Sequence, residues 1–235
     1  MSYVFEAIGY LRTPFKENFG IPRQSGLAPA AQARLELIAP YNEPDAVRGL
    51  SDFSHVWIVF VFHGEIDRTW SPLVRPPRLG GNEKRGVFAS RSPVRPNPVG
   101  LSVVELDAVH AEPGQVWLEL SGGDFLDGTP VLDIKPYVPY ADAKVDARGS
   151  YAQDAPTAKL RVEFTPLAQQ QVEHYAKTYP RLAELLTQML ALDPRPAYLA
   201  DRATRDAFAM RVLDFDVKWR VAGEVVTVEE LLALG

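Results

Sequence analysis

The spacing of apolar and polar positions changes character once along the chain, near residue 165. Before that point apolar residues come as short runs or alternate with polar ones, and each run stops at Gly, Pro, Asn or Asp. YVFEAIGYLR (3–12) predicts a first strand ending at the turn Thr13-Pro14, and residues 15–50 read as loop. HVWIVFVF (55–62) is a continuous apolar run rich in Val, Ile and aromatics, which predicts a strand buried on both faces. GVFAS (86–90), VGLSVVELDAVH (99–110), QVWLELSG (115–122), PVLDIKPYV (130–138) and KLRVEF (159–164) read as further strands. Short strands with no helical pattern between them predict an antiparallel barrel or sandwich.

After residue 165 the period becomes helical. Thr165-Pro166 offers a capping hydroxyl followed by proline at the first helical position. A second helix is predicted from Pro180, with Leu182, Leu185, Leu186, Met189 and Leu190 on one face. FAMRVLDFDVKWRV (208–221), a turn at Ala222-Gly223 and a returning EVVTV predict a β-hairpin. The expected architecture is therefore mainly β. Residues 1–164 form a β-barrel or sandwich domain, and residues 165–235 a smaller α+β domain with two helices and a hairpin.

One stretch fits neither pattern. RSPVRPNPVG (91–100) holds three prolines and two arginines just before an apolar β-branched strand. Proline fixes its own φ, lacks an N–H and restricts the residue before it, so this segment is ordered before any ligand arrives. A stiff backbone carrying planar guanidinium groups is a wall suited to carboxylate or phosphate. Charge agrees: seven basic residues against Glu83 lie between Arg68 and Asn97, whereas the whole chain carries a net −5. The plain alternative is a solvated loop whose arginines pair with the acidic body.

Composition narrows the chemistry. No run of eighteen apolar residues is present, so no membrane-spanning segment is expected, and MSYVFEAIGY reads as a strand, not a leader. The chain has no cysteine, which excludes disulfides, thiolate metal sites and cysteine nucleophiles and suits a cytoplasmic protein. No phosphate-binding or dinucleotide-binding glycine motif and no G-x-S-x-G occurs. His55 and His63 stand eight residues apart, roughly 26 Å on one extended strand at ~3.3 Å per residue, so no metal site is expected. Polar clusters remain at 22–27, 62–64, 86–101 and 125–143, all at strand ends or loops. Taken singly, each has a structural reading: His63 as a satisfied core histidine, Asp127-Gly128 as a turn, Asp133 as an ion-pair partner, Tyr137 and Tyr140 as a sheet cover.

Taken together, these segments carry a resemblance. GVFASRSPVRPNPVGLSVVEL (86–106) and LDGTPVLDIKPYVPYADA (126–143) strongly resemble the TsaA-like family, and within it the TrmO tRNA methyltransferases. IGYLRTPFKENFGIPRQSGL, LIAPYNEPDAVRGLSDFSHVWIVFVFH, VRPPRLGGNEKRGVFASRS and DPRPAY match the same family in the same order, across nearly the whole chain. The resemblance implies a small S-adenosylmethionine-binding β-barrel, a homodimer, and methylation of N6 of N6-threonylcarbamoyladenosine beside the tRNA anticodon. It places the cofactor on Gln24, Ser25, Gly26 and Leu27, on His63 and Gly64, on Arg91 and Leu101, and on Leu126, Asp127, Gly128 and Thr129. The N6 proton needs an acceptor, for which the candidates are Asp133, His63 and Tyr137. Arg75, Arg78, Lys84, Arg85 and Arg95, with Arg195, Lys218 and Arg220, are the expected contacts to the RNA. The alternatives are a family member acting on another nucleoside or small substrate, and a sensor without chemistry.

Overall fold

The computed structural model describes residues 3–81, 83–195 and 206–234. Among them are twelve strands and three α-helices. The first eight strands are β1 (Gly9–Arg12), β2 (Gln32–Leu37), β3 (His55–Val61), β4 (Leu73–Val74), β5 (Arg85–Gly86), β6 (Val99–Glu112), β7 (Gln115–Ser121) and β8 (Pro130–Pro136). Six of these close into a barrel in the order β1-β2-β7-β6-β3-β8, with β8 returning to β1. Every pairing in it is antiparallel, so one face of each strand points into a shared core and the other outward.

That alternation corrects the reading of β3. Val56, Ile58 and Phe60 are buried inside the barrel, whereas His55, Trp57, Val59 and Val61 face outward and are half-buried. Strand β2 was missed within the stretch read as loop. Its signal was the alternation Ala33, Leu35, Leu37, all buried, among the polar Gln32, Arg34 and Glu36. GVFAS is not a barrel strand. Its start pairs with β4 in a two-stranded arm, and Val87–Ala89 turns as one 3₁₀ turn held by Val87 N–H donating to the Pro72 carbonyl.

The helices are α1 (Pro139–Asp142), α2 (Pro166–Tyr175) and α3 (Leu182–Ala191). Thr165 caps α2 as expected, its side chain accepting from the Ala168 N–H at 3.1 Å. The apolar stripe of α3 is buried throughout. The last strands are β9 (Arg161–Phe164), β10 (Ala207–Val212), β11 (Phe215–Ala222) and β12 (Val225–Ala233), in a sheet ordered β10-β11-β12-β9. Two expectations change here. Strand β9, read with the barrel strands, pairs instead with β12, and in parallel. The predicted hairpin is a three-stranded meander, because Leu213 adopts φ 54° and turns the chain between β10 and β11.

Each sheet has its own apolar core, and one segment of the barrel chain joins the other core. Phe15, Ala28, Ala30 and Ala31 pack with Leu186, Met210 and Trp219, not with the barrel interior. Phe15 bridges Val212, the Ala30 N–H donates to Gln188 Oε1 at 2.8 Å, and Arg181 Nη1 donates to the Pro29 carbonyl at 3.0 Å. Burying four apolar side chains is worth roughly 1 kcal/mol per alanine-sized group and about 2–3 for a phenylalanine. Residues 13–31 are thereby tied to α3 and β10. Among the described residues no helix is long and apolar enough to cross a membrane.

Candidate functional site

A cleft of about 720 Å³ opens at one end of the barrel. Its apolar walls are Phe60, Phe62, Leu101 and Leu126, and its polar lining includes Asn18, Gln24, His63, Ser102, Asp124 and Thr129. Arg23, Arg91 and Arg95 add three guanidinium groups. The wall at Gly100–Ser102 is possible because residue 100 has no side chain: a Cβ there would lie 2.2 Å from the Phe60 ring. Phe60 is held in turn by edge-on contacts with Phe62 and Phe125, each at 4.9 Å between ring centres.

One polar group of the lining, Asp124, is a residue that sequence reasoning missed. Burial pushes its carboxyl above the ordinary range, outweighing the Ser102 hydroxyl, the N–H groups of Asp124 and Ser25, and the Arg91 charge, all of which pull the other way. Its Oδ1 is buried without a hydrogen-bonding partner. An acceptor left unpaired in a solvent-excluded position costs roughly 1–3 kcal/mol unless a donor arrives. The missed signal was GGDFLDG: Asp124 stands three residues before Asp127, and only the second was singled out.

The predicted cofactor residues divide into two groups. His63, Gly64, Arg91, Leu101, Leu126 and Thr129 line the cleft together. Arg91 is steered by Gln24, to whose side-chain oxygen its Nη1 donates. His63 Nδ1 lies 3.4 Å from Thr129 Oγ1, itself bonded to the Leu126 carbonyl at 2.7 Å. The second group supports the lining from behind. Gly26 donates its N–H to the Gly122 carbonyl at 2.8 Å, and with Ser25 and Leu27 it sits outside the lining, which the loop enters through Ile21 to Gln24. Asp127 accepts from the Thr13 N–H and pairs with Lys16, both at 2.8 Å, and Gly128 at φ 77° turns the chain, so both fix the loop.

Of the three predicted proton acceptors, only His63 lines the cleft. Asp133 lies on β8, pairs with Lys135 at 2.8 Å and accepts from the Ile134 N–H. Tyr137 lines a separate groove of about 400 Å³ with His55, Trp57, Val103 and Asp142. Neither is brought to the main cleft, because an irregularity in the β3–β8 register breaks the alternation after the buried Val131 and sets Asp133 beside the outward-facing Val59, and β8 ends at Pro136.

The basic residues also divide. Arg95 lines the cleft and donates to the Ser90 carbonyl at 3.4 Å. Arg75 and Lys84 are exposed on the β4–β5 arm. On the same arm Arg78 donates to the Asp154 carbonyl, and Arg85 pairs with Glu83 at 2.7 Å. The C-terminal three are committed elsewhere. Arg195 grips Asp193 through two bonds, Lys218 pairs with Asp216, and Arg220 bridges Asp206 and Glu229. The rest of the DPRPAY segment, 196–198, lies outside the described residues. No cluster of three or more His, Asp or Glu able to hold a metal occurs among the described residues.

A closed antiparallel barrel with a cleft of apolar walls and polar loop residues, backed by a helix-and-sheet unit, defines a ligand-binding β-barrel protein. Models of the tRNA-methyltransferase O N-terminal domain and of the TrmO C-terminal domain match residues 10–143 and 157–234. The chain belongs to the tRNA-methyltransferase O (TrmO) family. It is 52% identical over 220 residues, 94% of each chain, to the tRNA (adenine(37)-N6)-methyltransferase of Escherichia coli K12. It is 50% identical over 220 residues, 93% of each chain, to a putative S-adenosylmethionine-dependent methyltransferase, RcsF, of Pseudomonas aeruginosa. The crystal structure of TrmO from Pseudomonas aeruginosa superposes with a TM-score of 0.81 at 40% identity, covering 99% of both chains.

Proposed function

We propose that this chain is an S-adenosylmethionine-dependent methyltransferase acting on N6 of adenine 37 in tRNA, and that the adenine carries an N6-threonylcarbamoyl group. The observation that supports a cofactor of this kind is Asp124, whose buried Oδ1 has no hydrogen-bonding partner, in a cleft with apolar walls. S-adenosylmethionine brings ammonium and ribose hydroxyl donors to such a carboxylate, flat and apolar parts to Leu101, Leu126 and Phe62, and, when bound, an electrophilic methyl group. Arg91, fixed by Gln24, lies beside the same carboxylate.

The contribution of the protein itself is positioning and proton removal. In N6-threonylcarbamoyladenosine the N6 lone pair is delocalised into a ureido group, so a basic group near the N6 proton speeds reaction. His63 is the group we assign, since it alone of the three predicted acceptors lines the cleft. The arm bearing Arg75 and Lys84, with Arg95 at the cleft, supplies positive charge for anticodon-loop phosphates. The setting of the reaction is the cytoplasm, where its tRNA is found.

The test is incubation of the protein with labelled cofactor and tRNA, with and without the threonylcarbamoyl group, followed by mass analysis of the nucleosides. Methyl on N6-threonylcarbamoyladenosine alone is expected, and His63→Ala is expected to slow a single turnover by ~10²–10⁴-fold. Transfer to another nucleoside would overturn the substrate, and an unchanged single-turnover rate would remove His63 as the acceptor.

We further propose that the working form is a homodimer joined beside the cleft. Leu101 is 52% and Val99 40% exposed on the outer face of β6, next to the half-buried Val59 and Val61 of β3. An apolar strip of this kind on a barrel wall calls for a partner. Sedimentation should give twice the 26.1 kDa chain mass, and a monomer at micromolar concentration would refute it.

A further inference from the structure

Three arginines line the cleft, and they are not equivalent. Arg91 donates to Gln24 and acts on Asp124 of the cleft lining. Arg95 donates to the Ser90 carbonyl. The Arg23 guanidinium has no hydrogen-bonding partner among the described residues, although it too belongs to the lining. We propose that Arg23 is the specificity residue of the site, binding the threonyl carboxylate of the modified adenine as it enters the cleft. This assignment rests on the substrate reading given above.

The surroundings of Arg23 leave a charge waiting for an anion. Partial burial of its guanidinium lowers its pKa, and the nearby Asp193 offsets this only in part. Asp193 is itself gripped by Arg195, whose side chain donates to both its oxygens at 2.7 and 2.9 Å. The loop is also fixed beforehand. Pro22 is buried, Ile21 packs on the C-terminal core, and the Gln24 side chain donates to the Arg23 carbonyl. A guanidinium on a fixed backbone loses little entropy on capturing a planar carboxylate with two parallel bonds. The cofactor has a carboxylate as well, but Arg91 is the arginine placed beside Asp124. Arg23 is exposed to solvent at the cleft.

The experiment measures binding of an anticodon stem-loop with and without the threonylcarbamoyl group, at fixed salt, to the wild-type protein and to Arg23→Ala and Arg23→Lys. Calorimetry on the same proteins gives cofactor affinity. The wild type is expected to prefer the modified RNA by about 10- to 100-fold, the range of a charge-assisted pair. Arg23→Ala should erase that preference while leaving unmodified RNA and cofactor binding unchanged, and Arg23→Lys should restore only part of it. Equal weakening of both RNAs would make Arg23 a phosphate contact, and a loss of cofactor affinity would make it a cofactor residue. Either result overturns the proposal, as does a preference kept intact in Arg23→Ala. A wild type with neither preference nor methyl transfer would instead bring down the substrate reading itself, which separates the two failures.

Discussion

Asp124→Asn is expected to weaken S-adenosylmethionine binding by about 10- to 100-fold, the loss of one charge-assisted hydrogen bond in a desolvated site. The direction of its titration sharpens the test. In the free protein burial holds the Asp124 carboxyl above its ordinary range, so the folded state keeps this proton longer than the unfolded chain does. The contribution of Asp124 to the stability of the free protein is therefore fully present below the unfolded carboxylate range and is lost as pH rises through the raised folded value. A cationic or hydroxylic ligand favours the ionised form, so wild-type cofactor affinity should climb over that same window. In Asp124→Asn both dependences flatten, and the variant should be at least as stable as the wild type at neutral pH. Calorimetric titration across the acidic range, with urea melts of the free proteins, checks both parts. Undiminished cofactor affinity in the variant would mean that the unpaired oxygen faces something else.

The second large effect lies in RNA binding. Paired Arg75→Glu and Arg78→Glu changes are expected to raise KM for tRNA by roughly 10- to 100-fold and to leave the cofactor Kd nearly unchanged. Both residues are exposed on or beside the two-stranded arm, away from the cleft lining, so reversing their charge leaves the lining untouched and breaks only the bond from Arg78 to the Asp154 carbonyl. Each lost phosphate contact should also flatten the dependence of log affinity on log salt by about 1. Binding measured between low and moderate salt gives both quantities. Collapse of cofactor affinity would show that these arginines support the fold of the site.

How far the sequence could be read depended on which physical signal each element left. Strands β6 and β7 announced themselves by alternation and flanking turns, and the α3 stripe by its period. β2 carries the same alternation, but charged Arg34 and Glu36 between small and medium apolar residues gave it a polar look. The parallel pairing of β9 with β12 depends on contacts across more than sixty residues, which no local pattern encodes. Within the site, the resemblance located the strand-end and loop residues His63, Arg91 and Leu101, which the barrel does bring together. Asp133 and Tyr137 looked reactive by residue type alone, and only the irregular register of β8 and its end decide that they face elsewhere. Asp124 is the converse case: its chemistry comes from burial, a property of the assembled cleft.

The segment from Thr13 to Ala31 gives the molecule a property that its two sheets would not suggest. It leaves the barrel at β1, lends Phe15 and three alanines to the other core, contributes Ile21 to Gln24 to the cleft, and returns as β2. The molecule is thus stitched, not merely strung together. Cutting between β8 and β9 would leave a barrel whose own loop had lost its bedding. The C-terminal unit serves as a splint for the wall that holds Arg23, and modular exchange of either half would have to carry this strap with it.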